Sequence, residues 1–230
     1  MKVVILAGGY GTRLSEYTKT IPKPMIDING KPMIYHIMRF FSNAGFKEFL
    51  IATGYKSEVI KKFFKKTQNN WNIKIVDTGK KTMTGGRLKK LKKYIGNKTF
   101  MMTYGDGLSN VNLKKLLTFH KRNKKLVTLT AVRPPARFGV IKFKGNLVNY
   151  FKEKSKVDEG WINGGFFVME PKFLQYIKGD NTYLEREPLE KITKAKQLAA
   201  FKHTGFWQCV DTKRDLDKIR KILKSKNEKK

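Results

Sequence analysis

Three glycines in four positions, followed by two cationic side chains, mark a candidate anion site near the start of the chain. The run Gly8-Gly9-Tyr10-Gly11 is followed by Thr12 and Arg13, and further on Lys23 stands between two prolines. Glycines let the backbone approach a ligand closely and direct its N–H groups at an anion. The prolines fix the backbone around Lys23. The set suits a polyphosphate, although many glycine-rich loops are only tight turns, and no Gly-Lys-Ser/Thr follows as in a Walker A loop.

Two aspartates, Asp106 and Asp211, each follow an apolar segment and precede a predicted helix. A carboxylate at the carboxyl end of a strand is well placed to hold Mg²⁺ beside phosphates. The competing interpretation is that each aspartate caps the helix that follows it. Asn110 or Asn112 is a nearer cap for the first helix, whereas for Asp211 the two interpretations stay equally open.

Short apolar runs alternate with helical patterns along the first 133 residues, which predicts the order β-α-β-α-β-α-β-α-β. That order is typical of an α/β protein with a mostly parallel sheet and helices on both faces. Ligands bind such sheets at the carboxyl ends of the strands, so the loops after Ala7, Thr53, Val76 and Thr103 are the candidate binding loops. The predicted strands are 3–7, 49–52, 73–76, 100–103 and 126–132, and the predicted helices are 32–41, 57–64, 87–95 and 113–120.

From residue 134 onward the pattern changes to shorter strands and a final helix. We predict strands at 140–143, 147–152, 166–169 and 198–201, forming a small substrate-side β subdomain on the same sheet, and a helix at 213–223. The chain is then one domain over residues 1–225, with a basic tail at 226–230 that frays.

The composition is strongly basic: 50 Lys and Arg against 18 Asp and Glu give a net charge of +32, and 41 of the 50 are lysines. A basic surface can bind nucleic acid, but such proteins usually use arginine for bidentate contacts, and this chain has nine arginines spread with its lysines over the whole length. A solvated lysine-rich surface is therefore favoured over a nucleic-acid partner.

The single cysteine, Cys209, excludes an intramolecular disulfide and a Cys-based zinc site. It favours a reducing, cytoplasmic setting, and no apolar run approaches the roughly 20 residues that span a membrane.

The glycine loop from Leu6 to Leu14, together with Pro22-Lys23-Pro24-Met25, resembles the signature of the sugar-1-phosphate nucleotidyltransferases. Further blocks narrow the resemblance to the cytidylyltransferase branch that acts on glucose 1-phosphate, over nearly the whole chain. The most specific are Thr84-Gly85-Gly86-Arg87, within a block at 83–88, and residues 161–167 of a block at 161–168. The others are at 76–79, 104–107, 137–139, 153–154, 185–189 and 205–208.

This resemblance implies a Rossmann-like fold, with the nucleotide bound by residues 1–133 and the sugar by residues 134–212. It implies transfer of a cytidylyl group from CTP to glucose 1-phosphate with Mg²⁺ as cofactor. Arg87 matches the arginine that reads cytosine, and Asp106 and Asp211 match the two metal-binding carboxylates. The implied nucleotide-binding residues are Leu6, Ala7, Gly8, Gly9, Gly11, Thr12, Thr84, Gly85, Arg87 and Asp106.

On the sugar side the resemblance implies contacts of Gly139, Glu153, Asn163 and Gly164 with glucose hydroxyls, and of Lys154 with the sugar phosphate. The catalytic residues are then Arg13, Lys23 and Lys154, which neutralise phosphate charge. Since the attacking phosphate oxygen is already ionised, no general base is needed. We therefore expect no catalytic histidine: His36 packs within its helix, and His120 and His203 lie at the surface.

Two departures from the family pattern limit what carries over. The segment between Phe64 and Trp71 is shorter than in the cytidylyltransferases, so a homo-oligomer is possible but the number of its subunits stays open. The lysine content is also higher than in the family.

Two alternative functions remain open as well. One is the same reaction with UTP, dTTP or another sugar 1-phosphate, because loops choose the substrate in such folds. The more distant one is a nucleic-acid-binding protein that keeps the fold without catalysis.

Overall fold

The computed structural model describes residues 1–134, 140–152 and 160–227. The strands are β1 (Lys2–Leu6), β2 (Asp27–Ile28), β3 (Lys31–Pro32), β4 (Glu48–Thr53), β5 (Asn72–Asp77), β6 (Phe100–Tyr104), β7 (Gly107–Ser109), β8 (Val127–Val132), β9 (Val140–Lys144), β10 (Leu147–Lys152), β11 (Ile162–Met169), β12 (Leu198–His203) and β13 (Trp207–Cys209). The helices are α1 (Ser15–Thr18), α2 (Met33–Asn43), α3 (Ser57–Lys66), α4 (Thr84–Lys90), α5 (Lys92–Ile95), α6 (Leu113–Asn123), α7 (Glu187–Lys194) and α8 (Lys213–Asn227).

Seven strands form one central sheet in the order β12-β8-β11-β6-β1-β4-β5. Six of them run parallel, and β11 runs antiparallel between β6 and β8. The prediction of a mostly parallel sheet in an α/β protein is confirmed. Two of the late strands predicted for the substrate side, β11 and β12, are members of this sheet.

The sheet is buried on both faces, and its central strands β1 and β6 are largely apolar. In β1 the alternate residues Val3 and Ile5 face one core, and Val4 and Leu6 face the other. The first core is covered by apolar residues of α2, α3, α6 and α8, and the second by those of α4, α5 and α7. This is the pattern expected when helices cover both sides of a parallel sheet.

Two predicted helices and one predicted surface residue differ from the structure. The last helix, predicted at 213–223, continues to Asn227, into the segment predicted as a tail. The helix predicted at 87–95 begins earlier, at Thr84, and is divided into α4 and α5. Its first turn contains Gly85 and Gly86, where a Cβ atom would lie 2.7 Å from Thr182 O and 2.6 Å from Asp180 Cα. The glycines are thus needed for close contact with the segment before α7, although glycine disfavours helix.

His120 was predicted at the surface and is buried, so that prediction is wrong. Its ring contacts Thr128 Oγ1 at 2.9 Å and Glu170 Oε1 at 3.0 Å. These partners come from β8 and from the end of β11, and their side chains satisfy both ring nitrogens inside the fold.

The strands β9 and β10 form a separate two-stranded hairpin with an exposed apolar face. Phe143 pairs with Val148, and Ile141 pairs with Phe151. All four are exposed, Phe143 by 61% and Phe151 by 67%. Among the described residues, no helix is both long enough and apolar enough for a membrane span.

Candidate functional site

A cleft of about 320 Å³ opens at the carboxyl ends of β1 and β6. It lies where the sequence placed the candidate binding loops. Of the ten implied nucleotide-binding residues, Gly85 is the one that does not line it. The walls consist of Leu6, Ala7, Gly8, Gly9, Tyr10, Gly11, Thr12, Arg13, Lys23, Pro24, Lys80, Thr82, Met83, Thr84, Arg87, Tyr104, Gly105, Asp106 and Tyr183.

A cluster of two cations and two carboxylates stands at one end of the cleft. Lys23 Nζ donates to Asp106 Oδ2 at 2.7 Å and to Asp211 Oδ1 at 2.8 Å. Arg13 Nη1 donates to Asp211 Oδ2 at 2.7 Å. The Lys23 side chain is 12% exposed, whereas Arg13 is 75% exposed. The inner cation is therefore held and the outer one can reach a ligand.

Burial disfavours the charge on Lys23, but the Asp106 and Asp211 carboxylates outweigh it and raise the pKa of the ammonium above its ordinary value. Burial likewise works against ionisation of Asp211. The hydrogen bond and charge of Lys23, together with the charge of Arg13, outweigh this effect of burial and lower the pKa of the Asp211 carboxyl. Both groups are thus charged at neutral pH, and each stabilises the charged form of the other.

The cluster is assembled by two local devices. Lys23 begins a 3₁₀ turn, Lys23–Met25, which contains Pro24 and is preceded by Pro22. Gly11 has a φ of +67°, and a Cβ atom there would lie 2.8 Å from Lys23 Cβ. The glycine loop can therefore lie directly against the lysine stem only without a side chain at this position.

The two aspartates meet because β7 pairs antiparallel with β13, with Gly107 opposite Cys209. Asp106 directly precedes β7 and Asp211 closely follows β13, so the pairing brings both to one end of the ribbon. The hydrogen bond from Val210 N to Asp106 O, 2.9 Å, continues the pairing to this point.

Neither aspartate caps the helix that follows it. The N-cap of α6 is Asn112, whose Oδ1 accepts from Lys115 N at 2.9 Å. At the start of α8, Asp215 N donates to Thr212 Oγ1, and Asp215 Oδ2 accepts from Thr212 N at 3.0 Å. This reciprocal arrangement is a capping box. The carboxylates of Asp106 and Asp211 are thus directed at cations in the cleft.

Asp106, Cys209 and Asp211 each offer one ligand atom, and the three atoms lie within 4.8 Å of one another. The two carboxylates fit a hard divalent cation such as Mg²⁺, which prefers oxygen ligands, and the thiol does not. Burial first, and the two carboxylates next, raise the pKa of Cys209 far above its ordinary value. The sulfur therefore stays a neutral thiol beside the carboxylate pair.

Arg87 is buried at the other end of the cleft and joins three loops. Its Nη2 donates to Gly8 O at 2.8 Å, and its Nη1 donates to Thr53 O at 3.0 Å and to Gly79 O at 2.8 Å. A Cβ atom on Gly8 would lie 2.1 Å from Arg87 Nη1. The first glycine of the loop therefore makes room for this guanidinium. Burial lowers the pKa of Arg87, while Asp77 opposes the shift.

Of the residues implied for the sugar, Asn163 and Gly164 lie at an irregular point of β11, and the next residue, Gly165, lies against Tyr104. Trp207 Nε1 donates to Gly164 O at 2.7 Å. The implied residues Gly139, Glu153 and Lys154 lie outside the described residues.

Several cleft residues were not predicted, among them Lys80, Thr82, Met83, Tyr104 and Tyr183. All except Tyr183 lie in or next to sequence blocks that carried the resemblance. Their neighbourhood was therefore visible in the sequence, but their contribution to the cleft was not.

The chain belongs to the nucleotidyl transferase family, whose family model matches residues 2–226. Members of this family generally use a divalent metal, and a nucleoside triphosphate and a sugar phosphate are substrates that fit the family.

The chain is similar to the glucose-1-phosphate cytidylyltransferase of Salmonella typhimurium, with 44% identity over 238 residues, which is 94% of this chain and 93% of that protein. A probable glucose-1-phosphate cytidylyltransferase of Bacillus subtilis is 39% identical over 244 residues, 96% of each chain. Among solved structures, HddC from Yersinia pseudotuberculosis complexed with GMP-PN superposes with a TM-score of 0.77 at 27% identity, covering 96% of this chain and 99% of the other. The resemblance to the cytidylyltransferase branch is thus confirmed.

Proposed function

We propose that this protein transfers a cytidylyl group from CTP to glucose 1-phosphate, giving CDP-glucose and pyrophosphate, with Mg²⁺ as cofactor. The observation that carries the proposal is the cluster at the end of the cleft, where Lys23 joins Asp106 and Asp211 beside a glycine-rich loop. The 44% identity to a glucose-1-phosphate cytidylyltransferase supports the choice of base and sugar.

The reaction needs positioning and charge rather than a base. The attacking phosphate oxygen of glucose 1-phosphate is already ionised, so the protein has to hold two anions in line and neutralise the charge that develops. The glycine loop offers backbone N–H groups to the triphosphate, and Arg13 and Lys23 offer positive charge at its phosphates. Asp106 and Asp211 would hold Mg²⁺, which supplies further positive charge at the phosphates when bound.

The finer assignments belong to the same proposal. Residues 1–133 bind the nucleotide, residues 134–212 bind the sugar, and residues 1–225 form the whole domain. Asn163 and Gly164 contact glucose hydroxyls together with Gly139 and Glu153. A cytoplasmic location fits the single cysteine. A homo-oligomer fits the exposed apolar face of the β9–β10 hairpin, since exposed apolar patches mark interaction sites.

The proposal is tested by pyrophosphate release from CTP and glucose 1-phosphate. We expect Asp106→Ala and Asp211→Ala to lower kcat by at least about 100-fold, comparable to losing other charge-stabilising groups. Asp217→Ala is the matched control, because this carboxylate lies on α8 at the surface and pairs with Arg220 at 3.6 Å. Full activity of either cluster variant at limiting Mg²⁺ would remove the metal assignment.

A second variant separates the sugar phosphate from the nucleotide. If Lys154 binds the phosphate of glucose 1-phosphate, Lys154→Ala raises the KM for that substrate far more than the KM for CTP. Equal losses for both substrates would point to a structural role for this lysine.

A second candidate keeps the reaction and changes the base to uracil or thymine. The hydrogen bonds of Arg87 bear on this choice, since both terminal nitrogens donate to protein acceptors. Reading cytosine with these nitrogens requires that some of these bonds are exchanged. The distant alternative, a non-catalytic nucleic-acid-binding protein, would show tight, salt-sensitive RNA or DNA binding and no pyrophosphate release.

A further inference from the structure

A chain of hydrogen bonds and one close contact runs from the sugar side of the cleft to its nucleotide side. Asn163 Oδ1 accepts from Gly165 N at 2.9 Å, and Gly165 lies directly against the Tyr104 ring. The Tyr104 hydroxyl donates to Glu185 Oε1 at 2.5 Å, and Thr84 Oγ1 donates to Glu185 Oε2 at 2.7 Å. The two ends of this chain, Asn163 and Thr84, are the residues assigned to the sugar and to the nucleotide.

The donors and acceptors along this chain agree in direction. The Glu185 carboxylate can only accept, and each of its oxygens receives one hydroxyl hydrogen. Leu184 N donates to Thr84 Oγ1 at 2.9 Å, which leaves the Thr84 hydroxyl hydrogen for Glu185. The Tyr104 hydroxyl lies 2.5 Å from Glu185 Oε1, and since the carboxylate oxygen can only accept, the phenol is the donor.

The backbone around Tyr104 is shaped to place its ring between the two halves of the site. Gly165 has a φ of +77°, and a Cβ atom there would lie 2.7 Å from Tyr104 Cδ2. Tyr104 ends β6, two residues before Asp106, and lines the cleft. A shift of its ring would therefore be felt both at Asn163 and beside the metal-binding carboxylates.

We propose that Tyr104 and Glu185 are positioning residues that couple the binding of the sugar phosphate at Asn163 to the binding of the nucleotide at Thr84. This inference rests on the proposed function in so far as a sugar phosphate and a nucleoside triphosphate occupy those two ends, and it does not depend on which base is used. A ligand that fixes Asn163 fixes Tyr104, and through Glu185 it fixes the hydroxyl of Thr84. Such coupling between sites is reciprocal.

The test measures this coupling directly in the full-length protein. The dissociation constant of an α,β-methylene analogue of the triphosphate that the wild type uses best is determined with and without saturating sugar 1-phosphate. In the wild type we expect the sugar phosphate to tighten analogue binding about tenfold, within the usual range of site coupling. Tyr104→Phe, which removes the hydroxyl and keeps the ring, should reduce this factor to about 1.

Glu185→Ala should have the same effect, and the double variant should be no worse than either single one, because both remove the same link. Glu187→Ala is the matched control: it lies two residues away and pairs with Lys178 and Lys191 at 2.8 Å each. Melting temperatures separate coupling from folding, since a structural role would lower them and weaken both ligands without changing the factor.

Two results overturn the inference: a wild type with no coupling, or a wild-type factor retained in Tyr104→Phe and Glu185→Ala. Failure of the proposed function would give a different result: the wild type would release no pyrophosphate with any nucleotide and sugar 1-phosphate tried.

Discussion

Replacing Lys23 by methionine removes the ammonium from between two carboxylates and keeps most of the side-chain stem. In the wild type that ammonium lies 2.7 Å from Asp106 and 2.8 Å from Asp211. The variant leaves the two carboxylates together, with Arg13 as the remaining cation on Asp211. The folded state loses two charge-assisted hydrogen bonds and gains repulsion between like charges.

The size of the loss follows from burial. The side chains of Lys23 and Asp211 are 12% and 18% exposed, and that of Asp106 is 30% exposed, so solvent screens the pair only in part. Hydrogen bonds to charged groups contribute about 1.5–3 kcal/mol each. Because Arg13 still satisfies Asp211, we take the lower end and expect a loss of about 3 kcal/mol. For a chain of this length, that lowers the melting temperature by about 6–12 °C.

Differential scanning calorimetry with and without Mg²⁺ gives the assay. In the variant, a divalent cation no longer has to displace an ammonium from the carboxylates, so Mg²⁺ should bind it more tightly than it binds the wild type. At ten times the dissociation constant, binding stabilises by about 1.4 kcal/mol, or roughly 3–6 °C. Lys62→Met is the control, because Lys62 is an exposed lysine of α3. An unchanged melting temperature, or equal Mg²⁺ shifts in variant and wild type, would refute the assignment of this cluster.

Three further results are expected. Arg87→Ala should lower the melting temperature, because the five hydrogen bonds of Arg87 hold three loops. The same variant should use CTP less well and lose the preference for CTP over UTP. Unchanged stability with intact selectivity would contradict both roles of this arginine. Because the pKa of Lys23 is raised, its contribution to folding stability is complete below 10.5 and is lost as the pH rises through the folded-state pKa. Because the pKa of Asp211 is lowered, its contribution is complete above 3.8 and is lost as the pH falls through the folded-state pKa. The melting-temperature difference between wild type and Lys23→Met should therefore shrink at both extremes, and a difference independent of pH would contradict this. Replacing Phe143 and Phe151 together by serine should lower the mass seen by analytical ultracentrifugation, and a monomeric wild type would contradict a role for the hairpin in self-association.

The sequence was sufficient for the elements whose signals are local. Pro32 and the apolar spacing that follows it predicted α2, and the uninterrupted apolar run at 3–7 predicted β1. The helix containing Gly85 and Gly86 was placed too late, because those glycines are required by contacts with residues about 95 positions away. Helix α7 was not predicted, and β11 was seen only in its second half, where no glycine interrupts the apolar run.

The candidate site was visible as residue types but not as geometry. The glycine loop, Lys23 and the two aspartates stood out because each follows a strand or a fixed turn. That Lys23 joins the aspartates depends on the pairing of β7 with β13, across about 100 residues, and no local pattern encodes it. The same holds for Arg87, whose partners at Gly8 and Thr53 belong to two other loops.

The most direct measurement of the proposed activity is a competition in one vessel. The protein is incubated with glucose 1-phosphate, Mg²⁺ and equal concentrations of CTP, UTP, dTTP, GTP and ATP, and the nucleotide sugars formed are identified by mass spectrometry, with Asp106→Ala as the inactive control. A site that rejects a poorly matched base should form CDP-glucose in at least about 100-fold excess over every other product. Comparable amounts of UDP-glucose or dTDP-glucose would contradict the assignment to cytidylyl transfer. The proposed function as a whole would be contradicted if no nucleotide sugar formed with glucose 1-phosphate or with any other sugar 1-phosphate supplied in its place.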